Sequence, residues 1–305
     1  SHYDEEILKN LDKKKFSNLK TLNLKRDLKV LNKNESRQEV IQNYLNKQCS
    51  QIFIKNNGKV DVIICSKVLE HTQKIFNFFE FCNKVLNKDG IIIIDVPDCK
   101  KSLKQGNISM VWEEHISYFT QNTLDNTFLI HGFKKKYFKT FFYKQENALV
   151  GVYKKNNIIK KNKNKLRKFE NNLSLFKNEI YKIKKATNKF LLKSRKKKYR
   201  IILFGAGHNS IAFINYLNIK KHISLILDDN KNKKDLILPG TNLSIKNSSY
   251  LREIDFPIIC LLALNIPIEK KIIKKIKSRF KSGSKFFSIY PDSSIFFLKN
   301  VEKYK

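Results

Sequence analysis

The chain has 305 residues, 41% of them hydrophobic, which suffices for two domains of ordinary size with a core each. Its 62 Lys and Arg residues outnumber its 27 Asp and Glu residues and give a formal net charge of +35. The excess is mostly lysine scattered through every segment, so solvated surface side chains explain it better than a nucleic-acid footprint. Such a field would still attract a small anionic substrate.

No apolar run approaches the ~20 residues of a membrane span, and the sequence shows no signal peptide. The cysteines are odd in number and lack the C-x-x-C spacing of zinc or dithiol sites; they are Cys49, Cys65, Cys82, Cys99 and Cys260. These features predict a protein of the reducing cytoplasm, without a membrane segment and without a metal site.

A strand, a helix and a second strand are predicted between residues 60 and 97. Residues 60–65 are rich in β-branched side chains, which indicates a short buried strand. The following apolar helix is expected to end at Gly90, where glycine would supply a left-handed cap. Residues 91–96 then form an uninterrupted apolar run that Pro97 stops, a pattern typical of a parallel sheet covered on both faces.

Another helix is predicted to begin after Thr120 as its N-cap and to stop before Gly132. Strands over residues 135–143 and 148–153 would complete the first sheet. Residues 1–153 are therefore predicted to form a first domain.

Residues 154–198 contain neither glycine nor proline, and their apolar side chains recur at alternating three- and four-residue steps. This spacing predicts a long amphipathic helix that connects two domains. A plain packing role is favoured over a coiled coil with a partner.

A second α/β domain is predicted over residues 199–305. It contains possible strands at residues 200–204, 223–227 and 258–263, and a helix that begins near Pro267 and Glu269. The predicted fold class is therefore α/β, with two Rossmann-like domains of mostly parallel sheets joined by a long helical connector.

Gly205 and Gly207 follow the first strand of this domain, with an acidic residue about 20 positions later, as in dinucleotide-binding folds. The third glycine position of that fingerprint is Ser210, so a glycine turn between strand and helix is favoured over NAD binding. His208 and Asn209 lie at this turn. They could donate to a phosphate or a sugar hydroxyl, or they could cap the helix.

Glu114 and His115 are the stronger candidates for chemistry. Imidazole accepts a proton near neutral pH, and an adjacent carboxylate can raise its basicity or fix its tautomer. Trp112 and Tyr118 flank the pair and could form an apolar wall with a polar handle. His71 follows the first strand and either faces the same crevice or is a helix N-terminal residue without a role.

These motifs resemble a known family. Residues 61–71 and 86–97 look like the latter half of a class I S-adenosylmethionine methyltransferase, and residues 112–119 resemble the E-H-x-S-Y-F segment of sugar C-methyltransferases. The second domain is similar to the C-terminal domain of that family at residues 204–209, 227–230, 238–240 and 289–291. The resemblance extends over about residues 44 to 295.

The resemblance implies methyl transfer from S-adenosylmethionine to a carbon next to the keto group of a nucleotide-linked deoxysugar held between two domains. It assigns His115 as the base, with Glu114 orienting it or stabilising its charge. Ser66 and His71 are expected on the cofactor side. The expected substrate contacts are Trp112, Tyr118, His208 and Asn209, and the family often has tyrosine in place of Trp112.

The N-terminal part departs from this family. Residues 1–57 contain no glycine, although a glycine-rich loop normally holds the donor, and the usual cysteine cluster for zinc is absent. Residues 28–31 are the candidate for the second strand of the domain. The chain begins without methionine, so we expect either an N-terminal truncation or a degenerate, inactive homologue. The alternative functions are an NAD-dependent oxidoreductase, or a non-catalytic protein that binds nucleotide sugars or nucleic acid.

Overall fold

The computed structural model describes residues 45–112, 114–143, 146–156 and 166–299, and it has a mixed α/β architecture that confirms the predicted fold class. The α-helices are α1 (Lys47–Asn57), α2 (Ile75–Val85), α3 (Lys100–Gln105), α4 (Gln121–Ile130), α5 (Leu166–Lys196), α6 (His208–Leu217) and α7 (Ile266–Ile276). The strands are β1 (Val60–Ser66), β2 (Leu86–Asp98), β3 (Phe133–Phe141), β4 (Asn147–Lys155), β5 (Arg200–Phe204), β6 (Leu225–Leu227), β7 (Ile245–Lys246), β8 (Ile258–Leu262) and β9 (Lys285–Ser288). Short 3-10 helices occupy Leu69–His71, Ile108–Met110, Lys220–His222, Lys231–Lys233, Ser248–Glu253 and Lys277–Arg279. The strand expected at residues 28–31 lies outside the described residues.

The chain divides into two compact units. The first combines residues 1–100 with 113–170, and the second combines 101–112 with 171–305. The segment 101–112 therefore belongs to the second unit, where Ile108 joins the hydrophobic core and the Lys101 amine pairs with the Asp292 carboxylate at 2.7 Å. The domain boundaries expected at residues 153 and 199 remain predictions.

The sheet of the first unit has the strand order β1-β2-β4-β3. Strands β1 and β2 are parallel, with Ser66 opposite Asp95, as the apolar run predicted. Strands β3 and β4 pair antiparallel with each other, and β4 pairs antiparallel with β2. This sheet is therefore less parallel than expected, because the short connection between β3 and β4 permits only a hairpin.

Gly90 does not end a helix, contrary to the sequence prediction. Helix α2 ends at Val85, and β2 begins at Leu86, directly opposite Val60 of β1. Gly90 lies inside β2, where an added Cβ would lie 2.8 Å from Leu86 Cδ2. Gly90 thus lies in a closely packed extended segment and not at a left-handed turn.

An aromatic cluster forms the centre of the first core. The ring of Phe128 stacks on Tyr153 at a centroid distance of 3.8 Å, and Phe79 meets Phe128 edge-on at 4.9 Å. The Tyr153 hydroxyl donates to Asp125 Oδ1 at 2.7 Å, which satisfies the polar end of this buried ring. Phe128 lies on helix α4, and the N-cap of this helix is Thr120, as predicted.

The sheet of the second unit has the order β7-β6-β5-β8-β9, and all of its pairings are parallel, as predicted. Hydrophobic cores form on both faces of this sheet, and α5 contributes Phe190 and Leu191 to one of them. Among the helices that the structure describes, none combines the length and the hydropathy of a transmembrane segment.

His222 in the second unit is buried, and neither of its ring nitrogens has a hydrogen-bond partner among the residues that the structure describes. Its pKa is lowered by burial and by the nearby charges of Lys221 and Arg195. The unfolded chain therefore binds the proton first, so the folded state loses stability as the pH falls through the unfolded value of about 6.5.

We expect His222→Leu to abolish this pH dependence, because leucine has no proton to bind. The urea midpoint of the second unit, followed by Trp112 fluorescence, should fall between about pH 8 and about pH 5 in the unaltered protein and stay closer to constant in the variant. His208→Ala removes another histidine of the same unit and should retain the dependence. An equal decline in all three proteins would contradict the assignment.

Candidate active site

The candidate site of the first unit lies at the carboxyl ends of the parallel strands β1 and β2, where α/β proteins bind ligands. Ser66 ends β1, and its hydroxyl donates to Asp95 Oδ2 at 3.0 Å. Lys67 follows with a φ of 53°, and its amine lies 3.2 Å from Asp95 Oδ1. Ser66, predicted on the cofactor side, is buried at this edge.

Backbone hydrogen bonds join the turn after β1 to the segment that carries His115. The Glu70 carbonyl accepts the N–H groups of Ile116 at 2.8 Å and Ser117 at 3.0 Å. The His71 Nδ1 lies 2.8 Å from the Glu114 carbonyl oxygen, although the two residues are 43 positions apart. Only a nitrogen that carries hydrogen can donate to a carbonyl, so this bond fixes the tautomer of a neutral His71.

The two predicted histidines of this unit contact each other. The ring of His115 meets that of His71 edge-on at a centroid distance of 4.8 Å, and the Tyr118 ring lies 6.1 Å from the His115 ring. Both imidazoles are half-buried. The structure therefore places His71 beside His115, which was one of its two predicted locations.

Glu70 is a site residue that sequence reasoning missed. Its side chain is 1% exposed, and neither carboxyl oxygen has a hydrogen-bond partner in the structure. Burial raises its pKa to about 7, and the charge of Lys67 partly opposes this shift. The available signal was a carboxylate in the turn that follows a strand, adjacent to a histidine.

Glu70, His71 and His115 each offer a possible metal-ligand atom, and these atoms lie within 4.8 Å of one another. No metal site was predicted from the sequence, because that prediction used the spacing of the cysteines and of residues close together in the chain. The third ligand comes from a distant loop, which no local motif indicates.

The other predicted substrate residues lie in the second unit. The ring of Trp112 is 5.8 Å from that of His208, and His208 Nε2 is 3.4 Å from the Ser109 carbonyl oxygen. Helix α6 begins at His208, and its N-cap is Gly207, without a side-chain capping bond. Gly207 is therefore the N-cap residue, and His208 and Asn209 lie within the first helical turn.

Residues of the second unit contact the glycine turn after β5 closely. Asp228 Oδ2 accepts the Ala206 N–H at 2.8 Å and lies 3.2 Å from the Lys233 amine. Gly205 has a φ of +104°, and an added Cβ would lie 2.8 Å from the Ala263 carbonyl oxygen. The acidic residue that would bind a ribose in an NAD site is thus engaged within the turn, which favours the structural interpretation of these glycines.

Two family models match consecutive parts of the chain. Residues 8–136 match a methyltransferase domain, and residues 152–291 match the C-methyltransferase C-terminal domain. Together the two matches support the C-methyltransferase family that the sequence motifs resemble. No curated protein sequence matches the chain.

Solved structures that resemble the chain include Haemonchus contortus phosphoethanolamine N-methyltransferase 2 in complex with phosphomonomethylethanolamine and S-adenosylhomocysteine. This match has 13% identity and a TM-score of 0.21. The selenomethionine form of the same enzyme with S-adenosyl-L-methionine also has 13% identity, with a TM-score of 0.20. Each match covers 77% of this chain and 61% of the other, so the chain spans less than two thirds of the length of these structures.

The methyltransferase-domain match over residues 8–136 supports S-adenosylmethionine as the cofactor. That molecule carries a sulfonium and an ammonium group, and the described edge of the first sheet is rich in carboxylates. Asp95 and Glu146 interact electrostatically with Glu70, and Asp98 interacts with Glu146. An orphaned buried carboxyl group among further acidic residues fits a cationic ligand.

Proposed function

We propose that this chain transfers a methyl group from S-adenosylmethionine to a carbon of a nucleotide-linked keto-deoxysugar, in a pathway of deoxysugar biosynthesis in the cytoplasm. The observation that supports this most is the ring contact of His115 with His71 at the carboxyl ends of β1 and β2. The family match supports the methyl transfer, and the resemblance at residues 112–119 suggests the sugar.

His115 acts in this proposal as the general base. A carbon atom is a poor nucleophile until a proton next to a carbonyl group is removed, and an imidazole can take that proton near neutral pH. The C–H bond breaks, its proton moves to His115, and the resulting enolate carbon would form the new carbon–carbon bond as the methyl–sulfur bond breaks, its electron pair staying with the departing thioether S-adenosylhomocysteine. S-adenosylmethionine supplies the electrophilic methyl group.

The neighbours of His115 hold it in place. The paired N–H groups of Ile116 and Ser117 fix the segment after His115 to the Glu70 carbonyl, and the Glu114 carbonyl is fixed to His71. Positioning of this kind contributes to catalysis, because a displaced base no longer reaches the proton that it removes. The Glu114 carboxylate is proposed to stabilise the charge that develops on His115.

The remaining assignments follow the same proposal. Ser66 and His71 lie on the cofactor side, at the edge where the carboxylates would compensate a sulfonium group. Tyr118 forms an aromatic wall beside His115. Trp112, His208 and Asn209 bind the substrate in the second unit, where an aromatic ring and a histidine at a helix N-terminus suit a nucleotide phosphate.

The proposal is tested by incubating the chain with methyl-labelled S-adenosylmethionine and a nucleotide-linked 4-keto-deoxysugar, followed by carbon NMR of the product. We expect the label on a carbon atom adjacent to the carbonyl group. Label on an oxygen or nitrogen atom would overturn the C-methyltransferase assignment. Absence of transfer to every keto-sugar tried, with the donor bound, would overturn the enzymatic proposal.

His208→Ala is expected to weaken binding of the nucleotide-linked substrate roughly tenfold to a hundredfold, since a hydrogen bond to a charged group contributes about 1.5–3 kcal/mol. Isothermal titration with the nucleotide sugar measures this change. Tyr216→Ala is the matched control, because Tyr216 lies on the same helix and its side chain is 50% exposed. Equal affinity of both variants would leave His208 with a packing role only.

A further inference from the structure

Glu70, His71 and His115 form a compact set of ligand atoms. The three atoms lie within 4.8 Å of one another, and they come from two segments of the first unit. In tetrahedral coordination with bonds of about 2.1 Å, ligand atoms are separated by roughly 3.4 Å. Small side-chain rotations would therefore bring these groups to coordination distance.

The Glu70 carboxyl group suits a cationic ligand. It is 1% exposed, and among the described residues neither of its side-chain oxygens has a hydrogen-bond partner. A buried carboxyl group without a partner either stays protonated or is compensated by a cation, and a bound metal ion would hold it in the ionised form. Lys67 contributes a positive charge nearby, and the two imidazoles add neutral nitrogen ligands.

The surroundings match the supporting shell of metal sites. A histidine that binds a metal usually donates its other ring N–H to a backbone carbonyl, as His71 Nδ1 does to Glu114 at 2.8 Å. In this tautomer Nε2 carries the lone pair. The backbone of Glu70 in turn holds the N–H groups of Ile116 and Ser117, so the segment that carries His115 is fixed to the turn that carries the other two ligands.

We propose that Glu70, His71 and His115 bind one divalent late transition-metal ion, of the Zn²⁺ class, and that this ion blocks His115 as a base. Two imidazoles and one carboxylate suit zinc, cobalt or nickel, whereas calcium and magnesium prefer oxygen ligands alone. Metal binding goes beyond the proposed function and does not depend on it. Inhibition by the metal rests on the proposed function, because it requires that His115 be the base.

The site is tested by titrating the full chain, freed of metal with a chelator, with Co²⁺ and recording its visible absorption. We expect one Co²⁺ per chain, with ligand-field bands of tetrahedral or five-coordinate geometry and without a sulfur-to-cobalt charge-transfer band. Glu70→Gln, His71→Gln and His115→Gln should each weaken binding roughly tenfold or more. His131→Gln is the matched control, because His131 lies in the same unit and stacks on Phe79.

Unchanged Co²⁺ affinity in the three ligand variants would overturn the proposal. Far-UV circular dichroism checks that each variant is folded, and a second measurement avoids variants altogether. Saturating Zn²⁺ should protect His71 and His115 of the unaltered protein, but not His131, from diethyl pyrocarbonate, as read by peptide mass spectrometry. Equal modification with and without Zn²⁺ would also refute the site.

Inhibition is measured separately, as loss of methyl transfer on adding Zn²⁺ and recovery on adding EDTA. Stoichiometric Co²⁺ binding in a chain that transfers no methyl group would refute the proposed function and leave the metal site standing. Methyl transfer that depends on His115 but persists with bound metal would refute the blocking role alone.

Discussion

Replacing His115 by glutamine is expected to reduce kcat for methyl transfer by about a hundredfold to ten-thousandfold, the usual contribution of a general base. Glutamine keeps a polar side chain of similar reach but cannot accept the proton of a carbon acid. The backbone bonds of Ile116 and Ser117 to Glu70 do not involve the imidazole, so the segment should keep its position. Binding of S-adenosylmethionine, measured by titration calorimetry, should therefore change little.

Hydrogen exchange measures proton removal by the base separately from the methyl transfer that follows. In heavy water and without donor, the unaltered protein should exchange the substrate hydrogen next to the carbonyl group for deuterium, and His115→Gln should not. Proton NMR of the keto-sugar follows this exchange. His131→Gln, a histidine variant of the same unit, is expected to exchange at the normal rate. Exchange by His115→Gln at the rate of the unaltered protein would assign the base to another residue.

Replacing Phe79 by alanine is expected to destabilise the first unit by about 3–5 kcal/mol, the usual effect of truncating a buried phenylalanine. Its ring is 1% exposed, and it meets Phe78 and Phe128 edge-on at 5.2 and 4.9 Å. The truncation leaves a cavity that the closely packed neighbours fill only in part. The lost packing contacts therefore add to the lost hydrophobic transfer energy.

Phe76→Ala is the matched control for this change. Phe76 lies one turn earlier on the same helix, its side chain is 67% exposed, and its truncation should alter stability by less than about 0.5 kcal/mol. Hydrogen–deuterium exchange with peptide resolution provides the readout, because protection of β2 and β4 should fall in Phe79→Ala alone. Protection of β5 and β8 in the second unit should stay constant. Similar exchange in both variants would contradict the assigned core.

The local pattern of the sequence was sufficient for most elements. The β-branched run of residues 60–65, the N-cap Thr120 and the glycine- and proline-free stretch of the connector predicted β1, α4 and α5. These features depend on the backbone preferences and periodicity of neighbouring residues. Gly90 was misread because a glycine after a helix is typical of a left-handed cap, whereas here the position is constrained by contact with Leu86.

The site was only partly predictable. A histidine at position 115 after a buried strand, with His71 after its neighbour, indicated that both lie at one edge of the sheet, and their rings are in contact. The role of Glu70 did not emerge, because an acidic residue next to a histidine is usually exposed. Its backbone carbonyl binds Ile116 and Ser117, and this contact joins segments that are far apart in the chain.

The amino-acid sequence alone indicated the α/β class, the main strands and helices and the family resemblance, because these depend on local periodicity and on short motifs. Tertiary structure alone decided that residues 101–112 pack into the second unit, and that an unpartnered carboxyl group lies beside two imidazoles. The physical reason is that burial and hydrogen bonding depend on contacts between residues far apart in the chain. No window of neighbouring residues contains that information.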